Sequence, residues 1–251
     1  MKTSNKLIIA ALLLLLVSLI AYDYKLKDAY DSGSYKNPYR EFTTLKFKDF
    51  DAVDVTSSIA ANVKFIQGPF KVIIDSNALE YVKVKQQGKR LQITVHFEHD
   101  YPFNHNPYVL VISCPKLVEL YTNTLYTQDR KRVIDNELRE EWNTRLVLME
   151  GFEEDSLFIK QDYASAVVLS GNRIKSVRAV TGESPGSVSR LTVLKSNHFG
   201  HANIDILNNS SLFLNDAAIQ NLSYHLADSA RIIVNGVSQH LLNKTPKPQT
   251  K

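Results

Sequence analysis

Ser165–Val177, SAVVLSGNRIKSV, and Ser210–Leu222, SSLFLNDAAIQNL, carry the same apolar pattern at an offset of 45 residues. Val167 matches Leu212, Val168 matches Phe213, Leu169 matches Leu214, Ile174 matches Ile219, and Val177 matches Leu222. A further rung, Ile232-Ile233-Val234-Asn235-Gly236, follows about 20 residues after Leu212-Phe213-Leu214-Asn215-Asp216, which puts Asn215 and Asn235 at one corner. Leu191-Thr192-Val193 is the rung expected between the two long matches. Short strands at a period of 20–25 residues, with small polar residues at the corners, are the signature of stacked units that bury their apolar faces only against each other. Asn and Ser at the corners would satisfy backbone groups. The expectation is therefore an all-β domain over residues 45–240, a right-handed parallel β-helix-like solenoid. An antiparallel sandwich is the competing architecture.

Upstream of the repeat the pattern is also strand-like. Leu45 and Phe47, Val53 and Val55, Val63 and Phe65, Val82 and Val84, and Leu91, Ile93, Val95 and Phe97 alternate with polar residues. Gln67-Gly68-Pro69 and Gln87-Gly88 punctuate these runs as turns. One segment departs from the rhythm. In Gln128–Arg145, Ile134, Leu138 and Trp142 recur every four residues among Arg and Glu, which predicts a short helical insertion with Trp142 as a possible anchor for a partner.

At the N-terminus, Leu7–Tyr22 holds sixteen mostly apolar residues without a charge, preceded by Lys2 and Lys6. A helix of that length rises ~24 Å. Tyr22 and Tyr24 at the interface and a snorkelling Lys25 complete the span of a bilayer. A cleaved signal peptide is the alternative, but small residues at a cleavage site are lacking, since Leu19-Ile20-Ala21 places a leucine where one is needed. The expected organisation is a cytoplasmic N-terminus over 1–6, a signal anchor or transmembrane helix over 7–24, a linker over 25–44, the β domain over 45–240, and a disordered tail over 241–251. This makes the chain a single-pass inner-membrane protein with a periplasmic ectodomain, or a secreted or cell-surface one if the segment is cleaved.

Composition excludes several functions. Of the chain's net +4, three positive charges sit in 1–27 and three in 240–251, which leaves the body at −2 and without an electrostatic footprint for nucleic acid. Cys114 is the single cysteine, so an intramolecular disulfide framework is excluded. It lies in the apolar run Val-Leu-Val-Ile-Ser-Cys-Pro and reads as a small core residue. No GxGxxG or P-loop is present.

Residues 50–94, FDAVDVTSSIAANVKFIQGPFKVIIDSNALEYVKVKQQGKRLQIT, resemble the head GIN domain family of auto-transporter-adhesin-like proteins. The likeness rests on Phe50, Val53 and Val55, on Gln67-Gly68, on Asp75 to Leu79, on Val82 and Val84, and on Gly88, Leu91 and Ile93. Val109–Ile112 followed by Pro115 and Leu117 is similar to a further step of the pattern, and Tyr224–Gly236 to its closing coil. The resemblance implies a β-helix-like stack on the envelope of Gram-negative bacteria, with no catalytic residues.

Several constellations remain. His96, His99, Asp100 and His105, and separately His198 and His201, are histidine-rich but read as solvated loops and turns. Asp205, Asp216, Asp228 and Arg231 could line one sheet, as the acids and bases of polysaccharide-cleaving β-helices do. Ser156 and Ser229 lie in Asp-Ser-apolar triplets of the kind that bacterial O-glycosylation uses. These readings assign no catalytic, cofactor-binding or metal-ligating residue, and no cofactor. The expected function is a membrane-anchored, adhesin-like envelope module that binds a glycan or envelope-protein partner without catalysis. A periplasmic lyase or hydrolase, or a scaffolding or sensing subunit, is the alternative.

Overall fold

Alternating apolar and polar residues bounded by turns become strands in the computed structural model, which describes residues 3–33, 36–98, 108–137 and 146–242. The chain divides into two units, Met1–Phe42 and Thr43–Lys251. In the first, α1 (Thr3–Asp31) is one α-helix, and its apolar residues are exposed on every face. A helix apolar all round is built for a non-aqueous surrounding. It is long and apolar enough to cross a membrane, and it equally fits a signal sequence.

The second unit is built of strands. Its first half holds β1 (Phe42–Leu45), β2 (Ala52–Val55), β3 (Val63–Gln67), β4 (Lys71–Asp75), β5 (Val82–Gln87), β6 (Arg90–Phe97), β7 (Leu110–Cys114), β8 (Glu119–Thr122), β9 (Leu125–Gln128) and β10 (Lys131–Ile134). Its second half holds β11 (Val147–Glu150), β12 (Glu153–Gln161), β13 (Ala166–Ser170), β14 (Arg173–Thr181), β15 (Arg190–Val193), β16 (His198–Ile206), β17 (Ser211–Asn215), β18 (Ala218–Leu226) and β19 (Arg231–Asn235). A nine-stranded sheet runs β1-β4-β7-β3-β11-β13-β15-β17-β19. A ten-stranded sheet runs β10-β9-β6-β2-β8-β12-β14-β16-β18, with β5 paired to β6. Their inward faces share one core: Val167, Leu169, Leu191, Val193 and Leu212 from the first sheet meet Leu157, Ile159, Val177, Ala179 and Ile204 from the second.

The expected right-handed parallel β-helix-like solenoid is not what the chain builds. The domain consists of two large mixed sheets. Strands of the first half enter out of chain order, and β4–β7, β5–β6 and β9–β10 pair antiparallel. The 45-residue offset was real but local. Val167, Leu191 and Leu212 lie side by side in parallel register on β13, β15 and β17, and Ile232 on β19 follows. Extending that rhythm to the first half ignored its hairpins. The turn between β5 and β6 has Gly88 at φ 59, which reverses the chain within two residues.

The helical insertion expected over 128–145 is also corrected where the structure describes it. Gln128 ends β9, Lys131–Ile134 form β10, and Asp129 and Arg130 sit at φ 49 and φ 62. Two successive left-handed residues make a hairpin turn of the primed type, whose twist matches paired strands. Ile134 therefore closes a strand and does not stand on a helix. Leu138 and Trp142 lie outside the described residues, as do His99, Asp100, His105 and residues 243–251.

Corner polar residues do support the backbone, but not at the expected pair. Asn215 and Asn235 are in register and exposed. The buried ladder is Asn172 on Asn197. Asn172 Nδ2 donates to Met149 O at 3.0 Å and to Asn197 Oδ1 at 2.9 Å, and Asn197 Nδ2 donates to Leu169 O at 2.6 Å and Leu194 O at 2.8 Å. On another corner, Ser187 and Ser189 each donate to Tyr163 O, at 2.9 and 3.0 Å.

Candidate functional site

β12, β14, β16 and β18 are each nine residues long and share a bend. In register, Glu153, Arg173, His198 and Ala218 form one row, and Ser156, Ser176, His201 and Asn221 another. Asp155, Lys175, Gly200 and Gln220 fall between the paired rows. Two consecutive exposed positions in β12, β14 and β18 mark the place where strict alternation fails and the strand turns. Gly200 is required there: a Cβ on it would stand 2.7 Å from Lys175 O.

The bend opens a groove of about 1010 Å³ lined by Lys116, Glu153, Asp155, Arg173, Lys175, His198, His201 and Gln220. Its charges are largely spent on one another. Arg173 Nη1 lies 3.4 Å from Glu153 Oε1, and Lys175 Nζ lies 2.6 Å from Asp155 Oδ1. The Asp155 carboxyl is held below its ordinary range by Lys175, and the Lys175 ammonium is held above its own by the same bond. Glu154 goes the other way, its carboxyl raised by burial although the Leu117 N–H donates to its Oε1 at 3.0 Å. A raised acid next to a lowered one is the electrostatic profile of an acid–base pair. The geometry does not make it one, because Glu154 is buried and tied to the Leu117 backbone while Asp155 points to solvent from the next residue. An apolar hollow of about 340 Å³ lined by Phe199, Ala217, Ile219, Val237 and His240 shares His198, Gly200 and Gln220 with the groove.

The second sheet carries another polar cluster on its outward face. Arg90 Nη1 donates to Asp54 Oδ1 at 2.5 Å and its other terminal nitrogen donates to Glu119. Lys160 Nζ stands 5.9 Å from the Tyr121 ring centroid and pairs with Glu183, and Arg178 lies 5.8 Å over Phe158. Cation and ring there cover one another.

Of the residues singled out from sequence, His198 and His201 are brought together in the groove, because the bend at Gly200 turns both outward. Among the described residues no group of three or more His, Cys, Asp or Glu is placed to hold a metal ion. His96 lies apart, in a hollow with Thr127, Asp129 and Arg130. Asp205, Asp216, Asp228 and Arg231 do not line one face. Asp205 is on β16 of the second sheet, Asp216 and Asp228 are in turns, Asp216 Oδ1 accepts the Val237 N–H at 2.8 Å, and Arg231 opens β19 of the first sheet. Cys114 is buried, with its thiol pushed up to about 12 by desolvation, as a core residue would be. Ser156 is exposed beside the groove and Ser229 is exposed in the β18–β19 turn. The sequence reading missed Glu153, Arg173, Asp155 and Lys175 as a group. Their signal was a charge match at an offset of 20, Glu153 with Arg173 and Asp155 with Lys175, which a comparison of apolar positions passes over.

No family model matches the chain, and no curated protein matches it. Several solved structures do. One provisionally named as a lipid-binding protein from Parabacteroides distasonis is 11% identical, with 78% of this chain and 96% of that chain covered and a TM-score of 0.35. One provisionally named as an adhesin from Bacteroides fragilis is 12% identical, with 77% and 94% covered and a TM-score of 0.38. Another, named in the same way, from Parabacteroides merdae is 10% identical, with 78% and 95% covered and a TM-score of 0.27. At such identities and scores the likeness does not extend to ligand or activity.

Proposed function

We propose that this chain is a membrane-anchored cell-envelope binding module of the head GIN, adhesin-like type, with residues 7–24 in the inner membrane and residues 45–240 in the periplasm, and that it holds a glycan or envelope protein along the bend groove without transforming it. The observation that carries this reading is the state of the groove's charges. Glu153 with Arg173, and Asp155 with Lys175, pair across neighbouring strands and leave a row of exposed donors and acceptors with little net charge. Such a row suits the hydroxyls of a neutral glycan or the backbone and amides of a polypeptide, where hydrogen bonds orient the ligand and a net charge would not help. The apolar hollow that shares His198 and Gln220 adds a contact for a sugar face or an aliphatic side chain. His198 and His201 supply donors that need no counter-charge when neutral.

The test uses the full-length chain in detergent micelles, screened on an array of neutral and acidic glycans and then by calorimetry with each hit. Binding without product formation, weakened at least tenfold by Arg173→Ala or His201→Ala, supports the proposal. Turnover of any bound glycan, or binding that both variants leave unchanged, overturns it.

A further inference from the structure

The end of the domain formed by β18 and β19 is unfinished. Along three inward rows of the second sheet burial is complete through three strands and falls off at the last, while in a fourth row Ile219 stays buried. Leu157, Val177 and Ala202 are buried while Leu222 is half-buried, and Ile159, Ala179 and Ile204 are buried while Tyr224 is half-buried. In the next row Gln161, Thr181 and Ile206 are buried and Leu226 is 42% exposed. Ile232 and Val234 on β19 show the same loss against Leu212 and Leu214. The short turn of 3-10 helix at Gly236–Leu241 packs on this end, but Val237 stays 63% exposed. The next nine residues after Leu242, NKTPKPQTK, include no aliphatic or aromatic residue other than Pro246 and Pro248.

Among the described residues β18 is also the edge of its sheet, and its sequence carries none of the usual guards. Edge strands are normally blunted by charge, proline or brevity. At the opposite edge β10 is four residues long and opens with Lys131-Arg132. β18, AIQNLSYHL, is nine residues without Lys, Arg, Asp, Glu or Pro. It is also complementary to itself. In an antiparallel pair, residues directly opposite share a face. Centring the pair on Ser223 sets the half-buried Leu222 of one copy against Tyr224 of the other, twice, with Ser223 facing Ser223 on the outer side and Asn221 facing His225. An aliphatic–aromatic pair below and small polar residues above, with no charge to repel, is what a two-fold contact needs.

We propose that the exposed edge of β18 pairs antiparallel with the β18 of a second copy of this chain, so that two domains share one continuous sheet and cover each other's open ends. The experiment measures the mass of the full-length chain in detergent micelles by light scattering, for the parent chain, Ser223→Lys, Ser223→Glu and an equimolar mixture of the two variants. Ser223 is exposed, so both variants are expected to fold, which circular dichroism verifies. The parent chain is expected at twice the monomer mass, each variant alone at the monomer mass, and the mixture back at twice that mass. A monomeric parent chain overturns the proposal. So does a dimer that survives in both variants, because that dimer is held elsewhere, for instance by the N-terminal helix.

Discussion

Replacing Asn197 by alanine tests whether the buried amide ladder holds adjacent strands together. Asn197 is fully buried, and its side chain makes four hydrogen bonds. The Leu169 and Leu194 carbonyls would each lose a donor but keep another, since they also accept the Leu194 N–H at 3.1 Å and the Asn197 N–H at 3.1 Å. The Asn172 N–H has no such reserve. It donates to Asn197 Oδ1 at 3.1 Å and would be stranded in the core. A stranded buried donor costs ~1–3 kcal/mol and each lost bond at a carbonyl that keeps a partner ~0.5–1.5 kcal/mol. The expected loss is therefore about 3–4 kcal/mol, or ~10 °C in Tm for a domain of this size. Urea unfolding of the full-length chain in detergent, followed by tyrosine and tryptophan fluorescence, measures it. Asn215→Ala is the control, because Asn215 is exposed. The double variant Asn172→Ala/Asn197→Ala should fall short of additivity by ~1 kcal/mol, since the two share their bonds. A loss below ~1 kcal/mol for Asn197→Ala would refute the account.

Further outcomes follow from other sites. The Glu154 carboxyl is raised above its unfolded value of 4.5, chiefly by burial, so its ionisation opposes folding. Its contribution is favourable below that value and is lost as pH rises through the folded one, so Glu154→Gln should raise Tm at pH 7 and lose its advantage below pH 4.5. A thermal melt series across that range checks the crossover. Cys114, buried with its thiol pushed up to about 12, should resist maleimide at pH 8 in the folded chain and label fully in urea, as mass spectrometry would show. Gly182→Ala should cost ~3 kcal/mol, because φ is +84° and the new Cβ would meet Leu207 O at 2.5 Å; an unchanged Tm would contradict this. Arg130→Gly, at φ 62 in the β9–β10 turn, should stabilise by ~0.5–1 kcal/mol in the same urea assay.

How legible the protein was in its sequence depended on the range of the interactions involved. The all-β character, the apolar N-terminal helix, the burial of Cys114 and the alignment of Val167, Leu191 and Leu212 could be read directly, because each is an alternation, a run or a repeat within one stretch of chain. The groove was half legible. His198 and His201 stood out, but Arg173, Lys175, Glu153 and Asp155 looked like ordinary surface charge until parallel pairing brought residues 20 apart side by side. Asn215 and Asn235 looked like the structural ladder, while Asn172 and Asn197, 25 apart, proved to be the buried one. In the first half, the order β1-β4-β7-β3 could not be read at all. Which strand lies beside which is decided by how the whole set of apolar faces closes into one core, and no single segment contains that information. What the sequence determined is that this chain has strands to bury and a helix that shuns water. Tertiary pairing decided that the strands form two mixed sheets, because backbone hydrogen bonds and burial reward the arrangement of all the described strands together.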